Sequence, residues 1–547
     1  MAGLAAALGS AAMTNPILDL EQAGCMFVIG SNTTEAHPIV ALAIKRAVGE
    51  SGAKLVVANP TRIDLCDLAD VWLQHRPGTD VALLNGLARI IVEEGWQDKG
   101  FIAERTEGFE QWLASLDAYT PEAVQEITGV APADLYAAAQ AYARPPFGAS
   151  AVVYTLGITL HRTGTDNVLA LANLALLTGN FGKPGSGVNP LRGQCNVQGA
   201  CDMGCLPDFF PGYQRAADPA MRAKFETAWG AIMPALAGRT EPEMMEAAHA
   251  GELRAMYVIG ENPVRSDADA GHVVAALRKL DFFVVQDIFL TETARLADVV
   301  LPATSFAEKD GTFTSTERRV QRLRQAITPV GESRLDWQVV AAVARRVLRL
   351  QGRPEVGFGW AGAEEIMREI AGLTPSYGGI SYQRLDQGSL QWPCPEPDHP
   401  GTRRLHTARF TRGQGRFTPV QHIPPAEMPD DEYPLVLTTG RVLYHFHTST
   451  MTGRVDGLNR LSPAGYVELS EADAADLGLS DGALARVASR RGEVTTKVRL
   501  TNDVPPGVVF MPFHFADTWT NLLTSPALDP VAKAPELKVC AVRVQPL

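Results

Sequence analysis

Short runs of apolar and β-branched residues, each ending in glycine or a polar residue, occur in the same order at two places along the chain. The first set is MFVIGSN (26–32), KLVVANP (54–60) and LADVWLQ (68–74). The second is MYVIGEN (256–262), FFVVQD (282–287) and LADVVLP (296–302). Forty residues separate Gly30 from Asp70, and 38 separate Gly260 from Asp298. These runs alternate with segments of helical period such as PIVALAIKRAVGE and AGHVVAALRKL, so each set predicts a parallel, doubly wound sheet. The matched spacing makes the two α/β units a pseudo-duplicated pair of Rossmann-like domains. Ligands of such sheets bind beyond the carboxyl ends of the strands, which marks Gly30/Asn32 and Gly260/Asn262 as two nucleotide-sized sites. Neither unit contains GxGxxG, so ordinary NAD binding loses its best support and another nucleotide is favoured.

Outside these units the pattern changes twice. The first residues form an amphipathic helix with Leu4, Ala7, Leu8 and Ala11 on one face. Residues 391–434 carry the proline clusters QWPCPEPDHPG and IPPAEMPDDEYP, which forbid long regular elements. Beyond them, Ser470 and Asp473 form a capping-box-like helix start, Gly478 a helix stop, and RRGE a turn between two alternating strands. This portion reads as a β-barrel-like domain with short helices. The chain therefore divides into α/β domains at 1–190 and 191–390, a Pro-rich linker at 391–430 and a barrel domain at 431–547.

Composition narrows the function classes. A formal net charge of −12 and an isoelectric point of 5.5 oppose attraction to nucleic acid and to anionic lipid, so neither is expected as a partner. No window is apolar for about 18 residues, so no membrane insertion is expected. Seven cysteines in 547 residues make no disulfide framework and fit a reducing, cytoplasmic compartment.

The densest chemical signal is GNFGKPGSGVNPLRGQCNVQGACDMGCLPD (179–208), where glycines and the amides Asn189, Gln194, Asn196 and Gln198 surround the single cation Arg192. Glycine at this density permits close backbone approach to something bulky, and an isolated Arg suits a small carboxylate held bidentately. Cys195, Cys201 and Cys205 match no zinc spacing and read as structural thiols. His445 and His447, two residues apart, point to one face if they lie on a strand; they could ligate a metal or hydrogen-bond an anionic ligand, the second being favoured. His161 and His272 read as ordinary histidines.

GNFGKPGSGVNPLRGQCNVQGACDMG, VIGENPVRSDAD, VVQDIFLTETARLADVVLPATSFAEKDGTFT and TTGRVLYHFHTSTMTGR together resemble the catalytic subunit of the molybdopterin-dependent formate dehydrogenases, within the dimethyl-sulfoxide-reductase superfamily. The resemblance runs from Met1 to Leu547. It implies α/β domains plus a C-terminal six-stranded, double-psi-like barrel. These would enclose molybdenum or tungsten held by two molybdopterin guanine dinucleotides. One dinucleotide would contact Asn32, Glu35, His37, Asn59, Pro60, Gly78 and Asp80, with Gly157 and Thr159 near its pterin. Asn59 stands where the family usually has Asp. The other would take Gly260, Glu261, Asp287, Thr291 and Gly311, with Arg441, His445 and Asn521 from the last domain. Arg192 matches the formate-binding Arg, and Gln194 lies close to the pterin. The implied reaction is two-electron oxidation of formate to carbon dioxide by hydride transfer to a metal sulfido group, with electrons passing to Fe–S or NAD-linked partner subunits.

The resemblance also implies elements before Met1: a domain with a 4Fe-4S cluster, and the metal-ligating selenocysteine or cysteine followed by a histidine. On this reading no metal ligand belongs to this chain, and a selenocysteine UGA codon read as a stop would account for its start. Two other readings stand beside it. The chain could be a cofactor-binding subunit or carrier without turnover, or an oxidoreductase of the same superfamily acting on nitrate or another oxyanion.

Overall fold

The computed structural model describes residues 1–355 and 357–547. The chain divides into two compact units, one comprising Met1–Gly193, Arg265–Gly271 and Arg404–Leu547, the other Gln194–Val264 and His272–Arg403.

The first unit contains a five-stranded parallel sheet of β1 (Cys25–Ile29), β2 (Lys54–Ala58), β3 (Val71–Leu73), β4 (Ser150–Tyr154) and β5 (Gly187–Pro190), in the order β3-β2-β1-β4-β5. Cys25 of the central strand stands opposite Lys54 on one side and Ser150 on the other. Side chains alternate between two cores. Phe27, Ile29, Val56 and Val152 pack with Leu83, Leu87, Leu171 and Leu174; Met26, Val28, Leu55 and Val153 pack with Val40 and Ile44. The helix Ala2–Leu8 seats Leu4, Ala7 and Leu8 in the first of these cores, as its periodicity predicts, whereas Ala11 lies beyond the helix and is only partly covered.

In the second unit β6 (Ala255–Ile259), β7 (Phe282–Asp287) and β8 (Val299–Pro302) form a parallel sheet in the order β8-β7-β6. It is followed by the antiparallel set β9 (Gly311–Thr314), β10 (Arg319–Leu323) and β11 (Leu390–Gln391). The duplication expected from the sequence extends to individual hydrogen bonds. Asp70 accepts the Leu55 N–H at 2.9 Å and Asp298 accepts the Phe283 N–H at 2.7 Å. Gly30 N–H donates to the Ala58 carbonyl at 3.0 Å, and Gly260 N–H to the Gln286 carbonyl at 2.8 Å. Each repeated Asp holds an N–H at the start of the neighbouring strand, and each repeated Gly turns the chain just past a strand end.

Residues 392–434 contain no helix. After them comes a closed barrel of β12 (Leu435–Gly440), β13 (Tyr466–Leu469), β14 (Leu484–Ala488), β15 (Glu493–Leu500), β16 (Val508–Pro512) and β17 (Cys540–Pro546), in the order β12-β16-β13-β15-β14-β17. Ser470 accepts the Asp473 N–H at 3.1 Å, Gly478 ends that helix in the left-handed region, and β14 turns into β15 across Arg490 and Arg491. The short-range signals of this domain were therefore read correctly.

A buried network holds β5, the strand that leads to Arg192. The carboxylate of Asp19, fully buried, receives Arg404 Nε at 2.5 Å and Nη2 at 3.0 Å, together with Asn15 Nδ2 at 3.0 Å. Asn15 Nδ2 also donates to the Lys183 carbonyl, and Thr14 Oγ1 accepts the Val188 N–H. Asp19→Ala is expected to cost about 3 kcal/mol, because it strands a guanidinium beside a buried amide. A thermal scan should show an apparent Tm several degrees lower, and an unchanged Tm would contradict this account of how β5 is anchored.

Candidate cofactor and anion site

In the first unit the chain order of the strands reverses between β1 and β4, which is where doubly wound sheets open a crevice at their carboxyl ends. Gly30 ends β1 at φ +55°, and Gly157 lies in the short helix Leu156–Thr159 that follows β4. Gly157 N–H donates to the Gly30 carbonyl at 3.0 Å, and Thr155 Oγ1 donates to the same oxygen at 2.8 Å. A Cβ on Gly157 would stand 2.4 Å from that oxygen, so the two glycines are required by backbone contact. Thr159 ends the same short helix.

Asn32 precedes the short helix Thr33–Ala36, which carries Glu35 and leads to His37. His37 Nε2 donates to the Arg192 carbonyl at 2.8 Å, which fixes its other ring nitrogen as an acceptor when the ring is neutral. Burial, and secondarily Arg441, lowers the His37 pKa. His37 Nδ1, Asn32 Oδ1, Thr34 Oγ1 and Asn189 Oδ1 are buried without a hydrogen-bond partner, although buried polar atoms are ordinarily paired. Arg192 follows β5 by two residues, and its Nη2 donates to the Ala11 carbonyl at 3.2 Å.

The barrel contributes a second set of groups to the same unit. Arg441 follows the last residue of β12, and a Cβ on Gly193 would lie 2.8 Å from both of its terminal nitrogens. The pair Arg192 and Arg441 is therefore joined by a glycine that leaves room for the second guanidinium. Lys538 Nζ donates to the Thr439 carbonyl at 2.5 Å, and burial with Arg441 nearby pushes its pKa down to about 8. His447 is pushed down to about 4 and His514 to about 3, in both cases first by burial and then by charge that includes Arg441. The arrangement concentrates cationic character on arginine and lysine while keeping the surrounding imidazoles neutral.

His445 and His447 do not lie on a strand. They sit in the loop after β12, with His447 at φ +50°, so the one-face argument does not apply. His445 Nε2 donates to the Ser462 carbonyl at 2.7 Å. Asn521 spends its amide N–H groups on the carbonyls of Arg265 and Ser266, at 3.0 and 2.9 Å.

Asp80, 2% exposed, begins the helix that follows β3 and faces two histidines. His75 Nε2 lies 3.0 Å from Oδ1 and His161 Nε2 lies 3.8 Å from Oδ2. Burial works to raise the Asp80 pKa, but His75 and His161 outweigh it and hold the carboxyl below its usual range. Gly78, at φ +81°, brings the backbone against Pro425. Asn59 turns its amide onto Thr61, and the Pro60 carbonyl accepts Gln74 Nε2. Glu35 is pushed up to about 7 by burial and by Asp64, and burial moves Glu468 to about 7 against the pull of Arg499.

In the second unit Gly260, at φ +66°, and the exposed Glu261 follow β6; Asp287 ends β7 and accepts the Phe289 N–H at 3.1 Å. Thr291 Oγ1 accepts the Ala294 N–H, and Gly311 begins β9 with open space where a side chain would go. The Gln194 carbonyl accepts the Val197 N–H at 3.5 Å, ahead of the helix Val197–Asp202. Asp202, buried, accepts Tyr377 Oη at 2.6 Å, Gln198 Nε2 at 2.8 Å and Tyr213 Oη at 2.8 Å. Cys195 and Cys205 are exposed and Cys201 is partly covered, so these are not packed structural thiols; Cys25, Cys394 and Cys540 are the buried ones. Among the described residues no three His, Cys, Asp or Glu side chains gather as metal ligands.

Sequence reading passed over His75, His514 and Lys538 and treated His161 as ordinary. Three of these four lie within three residues of a strand end, and that position is the signal that would have found them. The unpaired buried polar atoms at the tips of β1 and β5, together with Arg192, Arg441 and Lys538, fit a polyanionic ligand with heterocyclic nitrogen groups. A pterin dinucleotide has both properties.

Comparison with known proteins points to the same class of ligand. The molybdopterin oxidoreductase family model matches residues 4–346, and the molydopterin dinucleotide binding domain matches residues 435–541. The F420-dependent formate dehydrogenase 1 subunit alpha of Methanococcus maripaludis is 46% identical over 546 residues, covering 99% of this chain and 79% of that protein. Formate dehydrogenase H of Escherichia coli is 39% identical over 554 residues, covering 100% of this chain and 76% of its own length. Among solved structures, acetylene hydratase from Pelobacter acetylenicus aligns with a TM-score of 0.77 at 20% identity over all of this chain and 80% of that one, a likeness of fold. The paired α/β sheets, the closed barrel and the matches across both regions lead to one conclusion: this chain belongs to the molybdopterin oxidoreductase family.

Proposed function

We propose that this chain is the catalytic subunit of a formate dehydrogenase, converting formate to carbon dioxide, one proton and two electrons, or running the reverse. The observation that carries the reading is the placement of Arg192. Its carbonyl is fixed by His37 and its guanidinium stands in the unit that also holds Arg441 and the unpaired strand-tip atoms. A guanidinium presents two parallel N–H groups to a carboxylate, which orients formate as well as binding it.

A molybdenum or tungsten centre on two molybdopterin guanine dinucleotides supplies the two-electron sink when bound. Asn32, Glu35, His37, Asn59, Pro60, Gly78, Asp80, Gly157 and Thr159 would hold one dinucleotide. Gly260, Glu261, Asp287, Thr291 and Gly311 of the second unit would serve the other, as would Arg441, His445 and Asn521 of the first, with Gln194 near a pterin. The neutral state of His37 and His447 leaves the anion to the arginines. Fe–S or NAD-linked subunits would take the electrons. Cys25, Cys394 and Cys540 are buried as thiols, which supports a cytoplasmic setting, and among the described residues no helix is long and apolar enough to cross a membrane.

The test is anaerobic turnover by the metal- and dinucleotide-loaded protein. Formate should reduce two molecules of a one-electron viologen dye for each carbon dioxide released, more slowly when the C–H hydrogen is deuterium. Loaded protein that instead reduces nitrate from reduced dye would establish the oxyanion reading. Loaded protein with neither activity would establish the carrier reading.

A further inference from the structure

Two barrel strands end side by side, and the segments that follow them are tied together. β12 and β16 pair in parallel with Gly440 opposite Pro512, so Arg441 and the triplet Phe513, His514 and Phe515 leave the barrel at the same end. His514 is fully buried. Its Nε2 accepts the Val442 N–H at 2.9 Å, which requires that nitrogen to carry no proton. Its Nδ1 therefore holds the ring proton and donates to the His447 carbonyl. The His514 carbonyl accepts Ser449 Oγ at 2.8 Å.

One residue thus fastens three points of the loop 441–449. That loop needs fastening, since His447 and Ser449 both adopt positive φ, at 50° and 55°, a region that costs L residues energy. The neighbouring rings complete the support. Phe513 lies 6.0 Å from the Arg441 guanidinium and 5.6 Å from His447, and Phe515 meets His445 edge-on at 5.1 Å.

We propose that His514 is the positioning residue for Arg441. By accepting from the residue next to Arg441 and donating to the opposite limb of the loop, its neutral imidazole sets where the guanidinium stands beside Gly193, and with it the retention of the dinucleotide. The proposal rests on Arg441 contacting the cofactor, as in the function proposed above. A protonated ring could not accept from Val442, and burial, with Arg441 nearby, pushes the His514 pKa down to about 3.

The experiment compares loaded wild-type protein with His514→Phe, His514→Gln, Arg441→Lys and the double variant His514→Phe/Arg441→Lys. Dinucleotide retained after dialysis is read as GMP released per chain, and loop mobility as amide exchange across 440–449. His514→Phe keeps the ring volume and loses both side-chain hydrogen bonds, so exchange at Val442 should quicken and retention fall about tenfold. Glutamine can replace one or both bonds and should restore most of each. The double variant should retain no less dinucleotide than Arg441→Lys alone, because the two residues act as one unit.

Multiplicative losses in the double variant would overturn the proposal, as would faster loop exchange with unchanged dinucleotide content. If His514→Phe does not fold, His514→Gln decides: looser exchange at Val442 must come with lower retention. Unchanged retention in Arg441→Lys would sink the role given to Arg441, and this proposal with it. Lack of formate oxidation by wild-type protein would sink the substrate reading alone, since neither readout uses formate.

Discussion

Arg192→Ala is expected to lower kcat/KM for formate about a thousandfold, with metal and dinucleotide content near that of the wild type. Two charge-assisted hydrogen bonds at about 2 kcal/mol each account for a loss of that size. Arg192→Lys keeps the charge but not the planar fork, so it should recover only part of the activity, with KM remaining high. The backbone carbonyl that receives His37 survives both substitutions, while the side-chain bond to the Ala11 carbonyl at 3.2 Å is lost. Steady-state kinetics with metal analysis on the same samples checks the prediction. A fall of less than tenfold in Arg192→Ala would mean that formate is held elsewhere.

Gly157→Val is expected to empty the dinucleotide site while leaving the barrel intact. The new Cβ would press on the Gly30 carbonyl at 2.4 Å, and that contact is backbone against backbone, with no flexible side chain to yield. Residues 156–159 must then move off the tip of β1, breaking the Gly157 N–H to Gly30 bond and the bond between the Gly157 carbonyl and His161 Nε2 at 2.9 Å. Overpacking of this kind costs about 2 kcal/mol, which corresponds to roughly thirtyfold weaker dinucleotide retention. Circular dichroism and GMP release together check it: a folded protein with a normal dinucleotide load would show that this crevice is not the binding surface.

Parts of the molecule whose signals are local were legible in its residues. The repeated strand runs gave both parallel sheets, because a buried strand needs only a few successive apolar side chains and a glycine beyond them. Ser470, Gly478 and the turn at Arg490 and Arg491 marked their elements for the same reason. What escaped reading depends on partners far along the chain. His161 gains meaning from Asp80, 81 residues earlier, and His514 from the parallel pairing of β12 with β16. His445 and His447 misled in the opposite direction. Their two-residue spacing imitates a strand, while the loop they occupy is shaped by His514 from outside. The amide of Asn521 donates to the carbonyls at 265 and 266, a tie across more than 250 residues that only the folded chain reveals.

The division of the first unit among Met1–Gly193, Arg265–Gly271 and Arg404–Leu547 has a consequence for synthesis. A ribosome adding about 5–20 residues per second takes roughly 10–40 s to pass from residue 193 to residue 404. For that interval the five-stranded sheet exists without the barrel, and Arg192 without Arg441. The strand Cys540–Pro546 that closes the barrel emerges later still. The anion-holding surface is therefore assembled after translation of nearly the whole chain, so a dinucleotide would enter it as an event of maturation rather than of nascent folding.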